Sequence, residues 1–227
     1  MAGLAEKLPE GIKGRSYIIR ASKSVQERFI GNANIFSVEE RKKILKKKTK
    51  APSPQELLAP KYKAMQAYDD TTKMQYIDLT NWLPGDILLK ADKMSMAHSL
   101  ELRVPFLDIE VFKVARQIRT GMKLKDKTTK FAFRRVAEKY LPEFTTNKKK
   151  LVFPVPIRVW LKEDTGYEKV KQAFASDAAK QFFDMELIMR LLDEHKNGVK
   201  DNSRKVWTIY TFLVWYHVFF ENGLEAA

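Results

Sequence analysis

Charged side chains are dense in one mostly apolar stretch, residues 85–108, which reads GDILLKADKMSMAHSLELRVPFLD. Lysine, arginine and carboxylate side chains are rarely buried unless they pair with an opposite charge. The pattern therefore predicts either a buried lattice of ion pairs or a charged binding site. Asp92 has no cation four residues further along a helix, so we expect its partner to be distant in sequence. The polar residues concerned are Lys90, Asp92, Lys93, Ser95, His98, Glu101, Arg103 and Asp108.

Two basic blocks account for the net charge of +14. Residues 1–50 carry 13 basic and 5 acidic side chains, and residues 121–150 carry 10 and 3. Such blocks suit a nucleic acid, an anionic surface, a phosphate-bearing substrate or a merely solvated face. Residues 41–50 favour a solvated face, whereas 148–150 run directly into the apolar LVFPVPIRVW, which argues against one. No recognisable nucleic-acid module accompanies either block, so we do not expect nucleic-acid binding.

Composition excludes several classes of chemistry. The absence of cysteine rules out disulfides, thiolate metal sites and a thiol nucleophile. The three histidines form no i, i+4 pair, so we expect no metal site. Of nine glycines only Gly11 and Gly14 lie close together, which excludes a glycine-rich phosphate loop within this sequence. There is no signal-peptide-length apolar stretch and no run of about 18 apolar residues, which predicts a cytoplasmic protein without a membrane span.

Helical periodicity predicts the elements that position these residues. We expect helices over 54–68 and 72–83, then a break at Pro84-Gly85 before the helical pattern resumes at Asp86. Convincing strand alternation is scarce, so the sequence predicts an all-α fold. We divide it into a basic N-terminal segment, residues 1–50, and a helical region, residues 51–227.

Caps and apolar positions predict the later helices. Asp108 is expected to cap one helix, and Thr128 or Thr129 the next. Near the C-terminus, a helix opens at Asp184, and the final helix is expected to be buried nearly all round. The residues predicted to face inward from the helices after Asp86, Asp108 and Thr128/Thr129 are Ile87, Leu88, Leu89, Met94, Met96, Val111, Phe112, Ala115, Ile118, Phe131, Phe133, Val136 and Tyr140.

Five motifs, in order, carry a resemblance to a known family. LLKADKMSMAHSLELRVPFLD is similar to the signature of the synthetase domain of the asparagine synthetase (glutamine-hydrolysing) family, and KMQYIDLTNWLPGDILLK precedes it. TTKFAFRRVAEKYLP resembles the Lys-x-x-x-Arg helix of that family, KKKLVFPVPIRVWLK its basic, proline-bearing segment, and DNSRKVWTIYTFLVWY its closing helix. The resemblance covers most of residues 10–220.

The resemblance implies a fragment of a larger fold. It implies the helical C-terminal portion of an adenine-nucleotide α-hydrolase-like (ATP pyrophosphatase) synthetase domain, lacking its Rossmann-like nucleotide-binding half. Family members also carry an N-terminal glutaminase with a cysteine nucleophile, a Ser-Gly-Gly-x-Asp-Ser phosphate loop and a catalytic glutamate, none of which this sequence shows. The isolated chain is therefore expected to be inactive, and no catalytic residue is predicted within it.

The resemblance also implies a reaction and its partners. With ATP and Mg²⁺, the complete enzyme adenylates the β-carboxylate of aspartate, and ammonia from glutamine then displaces AMP to give asparagine. The partners implied are the missing glutaminase and pyrophosphatase portions, with aspartate, ATP and ammonia, and a homodimer is a further option. Two alternatives stay open: a related amidotransferase or β-lactam-synthetase-like adenylating enzyme, and a non-catalytic basic binding module of the same fold.

Site residues follow from the same resemblance. Lys150 aligns with the family lysine expected at the α-phosphate, although Lys148 replaces the family arginine and Val152 the family glycine. A valine there gives up the φ > 0 conformations open to glycine. Lys93 stands where most members carry arginine. The other phosphate candidates are Lys90 and Lys93, and the candidates that line or support the cleft are Asp92, Glu101, Arg103, Lys130 and Arg134.

Overall fold

The computed structural model describes residues 15–31, 35–47, 50–149 and 155–221. These residues are mostly helical, with one short two-stranded hairpin, which confirms the helical class predicted from the sequence. Within the ranges described, no helix is long and apolar enough to cross a bilayer. The predicted cytoplasmic location stays a prediction.

The described residues form fifteen α-helices, two strands, one 3₁₀ turn and two π-helices. The first part contains α1 (Arg15–Ala21), α2 (Val25–Arg28), α3 (Val38–Ile44), α4 (Pro54–Ala64), α5 (Asp70–Ile77), a π-helix (Asp78–Leu88), α6 (Leu89–Met96), a 3₁₀ turn (Pro105–Leu107), α7 (Ile109–Ala115) and α8 (Thr120–Lys123). The second contains β1 (Leu124–Lys125), β2 (Thr128–Thr129), α9 (Phe131–Ala137), α10 (Glu143–Thr146), α11 (Ile157–Trp160), α12 (Asp164–Phe174), α13 (Asp177–Phe182), α14 (Met185–Lys196), α15 (Ser203–Tyr216) and a second π-helix (His217–Glu221).

Reciprocal serine–glutamate caps begin three of the early helices. At α3, the Ser37 hydroxyl accepts from the Glu40 amide at 3.2 Å, and the Glu40 carboxylate accepts from the Ser37 amide at 2.9 Å. The same box opens α2 at Ser24 and α4 at Ser53. Each such cap stabilises its helix by about 1 kcal/mol, because it satisfies amides that have no partner within the helix.

The chain divides into two compact units. Unit 1 comprises, of the described residues, 15–31 and 52–149, and unit 2 comprises 35–47, 50–51 and 155–221. The core of unit 1 is small: Val25, Leu58, Tyr62 and Ile77 bring together α2, α4 and α5. The Tyr62 hydroxyl donates to the Phe29 carbonyl at 2.7 Å, so its polar end is satisfied inside this core. The predicted division at residue 50 stays a prediction.

The predicted break at Pro84-Gly85 is wrong. A π-helix carries the chain through both residues and joins α5 to α6. Proline has no N–H, so the carbonyl five residues earlier in a π-helix, that of Leu79, loses its donor. The Lys61 ammonium of the neighbouring α4 donates to the Thr80 carbonyl at 3.0 Å and to the Asn81 side chain at 2.7 Å. These two hydrogen bonds hold α4 against the π-helix.

The inward faces predicted for α6, α7 and α9 are also wrong in large part. Met94 on α6 is 62% exposed, Val111 on α7 is 41% exposed and Phe133 on α9 is 54% exposed. No side chain between residues 78 and 145 is buried. The periodicity indicates an apolar stripe on each helix but does not supply a partner to cover it. The exposed members of the predicted set are Ile87, Leu89, Met94, Met96, Val111, Phe112, Ala115, Phe133, Val136 and Tyr140, while Leu88, Ile118 and Phe131 are half-buried.

Unit 2 contains a larger core formed by α12, α14 and α15. Phe174, Ile188, Leu192 and Val206 are all fully buried in it. The closing helix α15 buries one face only, since Trp215 on its other face is 46% exposed, and the expectation of burial all round is wrong. The segment before residue 52 joins this unit through an antiparallel bridge between Leu45 and Phe183.

A close helix contact in unit 2 requires a glycine. A Cβ added at Gly166, on α12, would lie 2.1 Å from the Trp160 carbonyl oxygen at the end of α11. No real side chain tolerates that distance, so only glycine lets α12 begin so near α11. The Tyr167 hydroxyl beside it donates to Asp193 on α14 at 2.7 Å, and this hydrogen bond, with some burial, raises the pKa of Tyr167 to about 12.

Candidate functional site

Three of the predicted site residues lie together on α6. Lys90 places its ammonium 3.7 Å from the Asp86 carboxylate, and the two side chains are 64% and 41% exposed. Asp92 and Lys93 are exposed as well. The expectation of a buried ion-pair lattice is therefore wrong here, because nothing in the described structure covers this helix. An exposed pair such as Lys90–Asp86 contributes at most about 1 kcal/mol, and its cation stays accessible to a ligand.

Glu101 and Arg103 form a local ion pair on the segment after α6. The Glu101 carboxylate lies 2.5 Å from the Arg103 guanidinium, and the two side chains are 70% and 82% exposed. The buried environment expected for them is wrong for the same reason as on α6. The segment ends at Asp108, whose carboxylate accepts from the Glu110 amide at 2.8 Å and opens α7. The predicted cap at Asp108 is thus confirmed.

Lys130 begins α9 directly after the hairpin. Strands β1 and β2 are joined by Asp126 and Lys127, both with positive φ, as a two-residue type I′ turn requires. Thr128 and Thr129 are in strand β2, so the predicted threonine cap of α9 is wrong. Instead Lys130 occupies the N-cap position with φ 58° and ψ 34°, a left-handed conformation that costs a residue with a side chain about 1 kcal/mol or more.

Hydrogen bonds hold the hairpin region against α5. Asp69 caps α5 through Thr72 and also accepts from the Thr120 hydroxyl of α8 at 3.0 Å. The Lys123 ammonium donates to Gln75 of α5, also at 3.0 Å. Hydrogen bonds from Thr72, aided by that from Thr120, hold the pKa of Asp69 below its usual value. Helix α9 therefore starts from a hairpin that is tied to the core of unit 1.

Arg134 acts as a clamp on the main chain. Its guanidinium donates to three carbonyls: Thr129 at 3.3 Å, Lys148 at 3.3 Å, and Thr146, which is buried at the end of α10. A planar guanidinium has five N–H donors in a fixed fork, so one side chain can hold three acceptors from separate segments. Arg134 thus fixes the path of the main chain up to the lysine run 148–150.

An aromatic contact joins the signature segment to α9. The Phe106 and Phe133 rings meet edge to face, with centroids 5.4 Å apart and planes at 80°. Such pairs contribute about 1 kcal/mol beyond their buried area. The structure therefore brings the segment carrying Glu101 and Arg103 against the helix carrying Arg134, within unit 1.

The principal phosphate candidate, Lys150, lies outside the described residues, as does Val152. Lys148 and Lys149 are described, and both are exposed. Because Arg134 holds the Lys148 carbonyl, the chain leaves the clamp two residues before Lys150. The predicted role of Lys150 stays a prediction.

The described part of the chain has a surface groove but no cluster of metal ligands. It contains no group of three or more histidine and carboxylate side chains that could hold a metal ion. A shallow groove of about 610 Å³ lies on α14 in unit 2, between Met185 and Val199, and none of the predicted site residues lines it. All the described candidate site residues lie in unit 1.

His195 is a buried polar group that the motifs did not single out. It lies fully buried in unit 2, where Nε2 is 3.0 Å from the Arg158 carbonyl oxygen and Nδ1 is 3.6 Å from the Asp201 carboxylate. Hydrogen bonds from Ser203 hold the pKa of Asp201 below its usual value. These contacts tie α11 to the start of α15, which gives His195 a structural role.

Comparison with known proteins decides the family. The model of the family described as "Asparagine synthase" matches residues 10–217. The chain belongs to the asparagine synthase family. The signature segment, α9 and the lysine run are therefore family elements, and the resemblance based on the motifs is confirmed.

Individual relatives agree with this assignment. Asparagine synthetase [glutamine-hydrolyzing] 1 of Bacillus subtilis is 42% identical over 215 residues, which is 95% of this chain and 34% of the relative. A Mycobacterium bovis protein provisionally named as an asparagine synthetase (glutamine-hydrolysing) is 41% identical over 224 residues, 99% of this chain and 34% of its own length. The chain thus spans about a third of the curated relatives it matches. No solved structure matches it.

Proposed function

We propose that this chain forms the C-terminal helical part of an ATP-dependent asparagine synthetase. Its fold would then be the helical portion of an adenine-nucleotide α-hydrolase-like synthetase domain. In the complete reaction, an oxygen of the aspartate β-carboxylate attacks the α-phosphorus of ATP and pyrophosphate leaves. Ammonia, released from glutamine, then attacks the acyl carbon of β-aspartyl-AMP, loses a proton, and AMP departs as asparagine forms.

The clamp at Arg134 carries the proposal. It binds the main chain at Lys148, within the run where the family resemblance places a phosphate-contacting lysine. A lysine at position 150 meets the α-phosphate as a point charge, so its position depends on a main chain held in place. Arg134 binds three main-chain carbonyls, so its part in the reaction is to position the main chain, and Lys150 supplies the charge.

The remaining cations suit the polyphosphate. Lys90, Lys93 and Lys130 are exposed on unit 1, and Lys90 has only an exposed, weak partner. Cations near the departing pyrophosphate stabilise the charge that develops there. Asp92, Glu101 and Arg103 lie on the same stretch and are proposed to line the aspartate side of the cleft. The described residues form no cluster of three or more histidine and carboxylate side chains, whereas Mg²⁺ bound with nucleotide phosphates needs only one or two carboxylates.

A graft tests the proposal. The segment of the Bacillus subtilis relative that matches this chain is replaced by this chain, and pyrophosphate release is measured with ATP, Mg²⁺, aspartate and ammonia. We expect aspartate-dependent release from the graft and none above background from the isolated chain. Steady release by the isolated chain would refute its proposed status as a part.

Lys150 provides the sharper arm of that test. Lys150→Met in the graft is expected to lower kcat by about a hundredfold, the size found when a transition-state charge partner is removed. Lys149→Met is the matched control, since Lys149 is exposed, one residue earlier in the same run. Equal losses in the two variants would contradict the role of Lys150. Release that requires a carboxylate other than aspartate would instead favour a related adenylating enzyme.

A further inference from the structure

Unit 1 presents a row of exposed apolar side chains along the signature segment. We call this row the open face: Leu100, Leu102, Val104, Phe106 and Ile109. Leu100 is 62% exposed, Phe106 is 67% exposed and Ile109 is 62% exposed, and the other two are exposed as well. Single apolar residues are normal on protein surfaces, but five exposed ones within ten positions of one segment favour an interaction site.

The main chain beneath the open face is also without partners. Residues 100–104 have no regular secondary structure, and within the described residues no hydrogen bond satisfies the amides of residues 101–104. The Leu100 amide before this run donates to the Ser95 carbonyl, and the Leu107 amide after it donates to the Val104 carbonyl. The open amides therefore coincide with the exposed side chains, as on a segment that accepts another chain.

The open face is fixed in place at one end. Phe106 packs edge to face against Phe133, and Asp108 caps α7 immediately after the segment. A surface whose conformation is already set loses less entropy when a partner binds. Phe106 is thus exposed although its contact with Phe133 holds its ring in position.

Charge identifies the kind of partner. Residues 97–118 contain three acidic and three basic side chains, so the open face lies on a neutral stretch, unlike the strongly basic residues 121–150. A polyanion would not select a neutral apolar surface, because its affinity comes from phosphate contacts. The partner is therefore an apolar protein surface.

The length of the relatives identifies the occupant. About two thirds of each matched synthetase lies outside the region that this chain matches. We propose that the N-terminal, pyrophosphatase-bearing portion of the synthetase covers the open face and pairs with the open amides of residues 101–104. This inference rests on the proposed function in one respect, namely that the chain works as part of a longer synthetase.

Hydrogen exchange tests the proposal directly. Exchange at the amides of residues 101–104 is followed by mass spectrometry in the isolated chain and in the Bacillus subtilis graft described above. We expect rapid exchange in the isolated chain and exchange slower by about tenfold or more in the graft, because covered and paired amides must open before they exchange. Unchanged exchange in a folded graft would overturn the proposal.

A matched pair of variants localises the contact. The double variant Leu100→Asp with Leu102→Asp is expected to remove the protection in the graft. Leu57→Asp should leave it unchanged, since Leu57 is as exposed as Leu100 but lies on α4, away from the open face. Circular dichroism on the isolated variants checks that each one folds. Equal effects of the two variants would also overturn the proposal.

The outcomes separate this inference from the proposed function. Protected amides in a graft without activity would keep the contact and refute the function, whereas an active graft with unprotected amides would do the reverse. Protection that grows with the concentration of the isolated chain, together with a dimer in ultracentrifugation, would assign the open face to a second copy and overturn the proposal. If the graft fails to fold, the same exchange measurement is made on the chain co-expressed with the N-terminal portion of the relative, and unprotected amides there overturn it.

Discussion

Unit 2 and the signature region of unit 1 are built in opposite ways. In unit 2, side chains such as Phe174, Ile188 and Leu192 are completely buried among α12, α14 and α15. In unit 1, the stretch from residue 78 to residue 145 has no buried side chain, although it contains all the described candidate site residues. The candidate site residues thus lie where the packing of the described chain is thinnest, on segments whose apolar side chains are exposed.

Two phenylalanine substitutions should show the largest difference in stability between unit 2 and the signature region. Phe174→Ala in unit 2 should lower the free energy of unfolding by about 3–5 kcal/mol, because the substitution leaves a cavity in a packed core. Phe133→Ala, at a side chain 54% exposed, should cost about 1 kcal/mol, the value of its contact with Phe106. Urea unfolding of both variants gives the two values. Similar costs would show that the signature region is as well packed as unit 2.

A pair of glycines sharpens the same contrast. Gly166→Ala should destabilise unit 2 by about 2 kcal/mol, since the new methyl group would overlap the Trp160 carbonyl and force α11 and α12 apart. Gly121→Ala is the control, because nothing lies within 4 Å of its Cβ position on α8, and it should be neutral or stabilising by up to about 1 kcal/mol. Thermal unfolding of both variants compares the two sites. A neutral Gly166→Ala would contradict the close approach.

Arg134→Lys tests whether unit 1 depends on a clamp rather than on a core. Lysine keeps the charge but cannot bind the Thr129, Thr146 and Lys148 carbonyls together. In the graft we expect kcat to fall by about tenfold with KM for aspartate unchanged, a cost of about 1.4 kcal/mol. Arg135→Lys is the matched control, because Arg135 pairs only with exposed Glu138 and should keep full activity. A rise in KM for aspartate with kcat intact would place Arg134 in substrate binding instead.

The smallest expected effect is on the pH dependence of the stability of unit 2. Hydrogen bonds from Ser203 lower the pKa of Asp201 in the folded state. A lowered pKa means that the ionised carboxylate stabilises the fold above the unfolded pKa, and this stability is lost as pH falls through the folded value. Asp201→Asn should therefore make the free energy of unfolding less dependent on pH between pH 6 and pH 3. Urea titrations at several pH values measure the slope, and an unchanged slope would exclude Asp201 as its source.

Local rules predicted the helix ends better than the buried faces. The cap at Asp108 could be predicted because a single carboxylate and the amides two and three residues later decide it. The continuation through Pro84 could not, since proline normally ends a helix and no local signal indicates the π-helix that carries the chain through it. The exposure of Met94 and Val111 was also beyond prediction, because a stripe of apolar residues does not reveal whether a partner covers it. A helix cap is decided by residues close in sequence, whereas the burial of a helix face depends on which other element packs against it.

In the candidate site too, local features could be predicted from the sequence and contacts between distant segments could not. The motifs predicted which residues to examine, but they did not reveal that Arg134 binds three main-chain carbonyls. Those partners lie 5 to 14 residues away along the chain, beyond the reach of any helical spacing rule. The charges of Glu101 and Arg103 suggested burial and pairing, and only the pairing was correct.

The three histidines lie in different regions of the chain and can report on each of them. His98 is exposed two residues before the open face, His195 is sealed inside unit 2, and His217 pairs with Glu221 near the end of the described chain. Their imidazole signals in a single NMR spectrum would therefore follow three regions at once without any added label. A partner that covers the open face should move the His98 resonance and leave that of His195 in place. The three histidine signals thus show which region of the chain a bound partner affects.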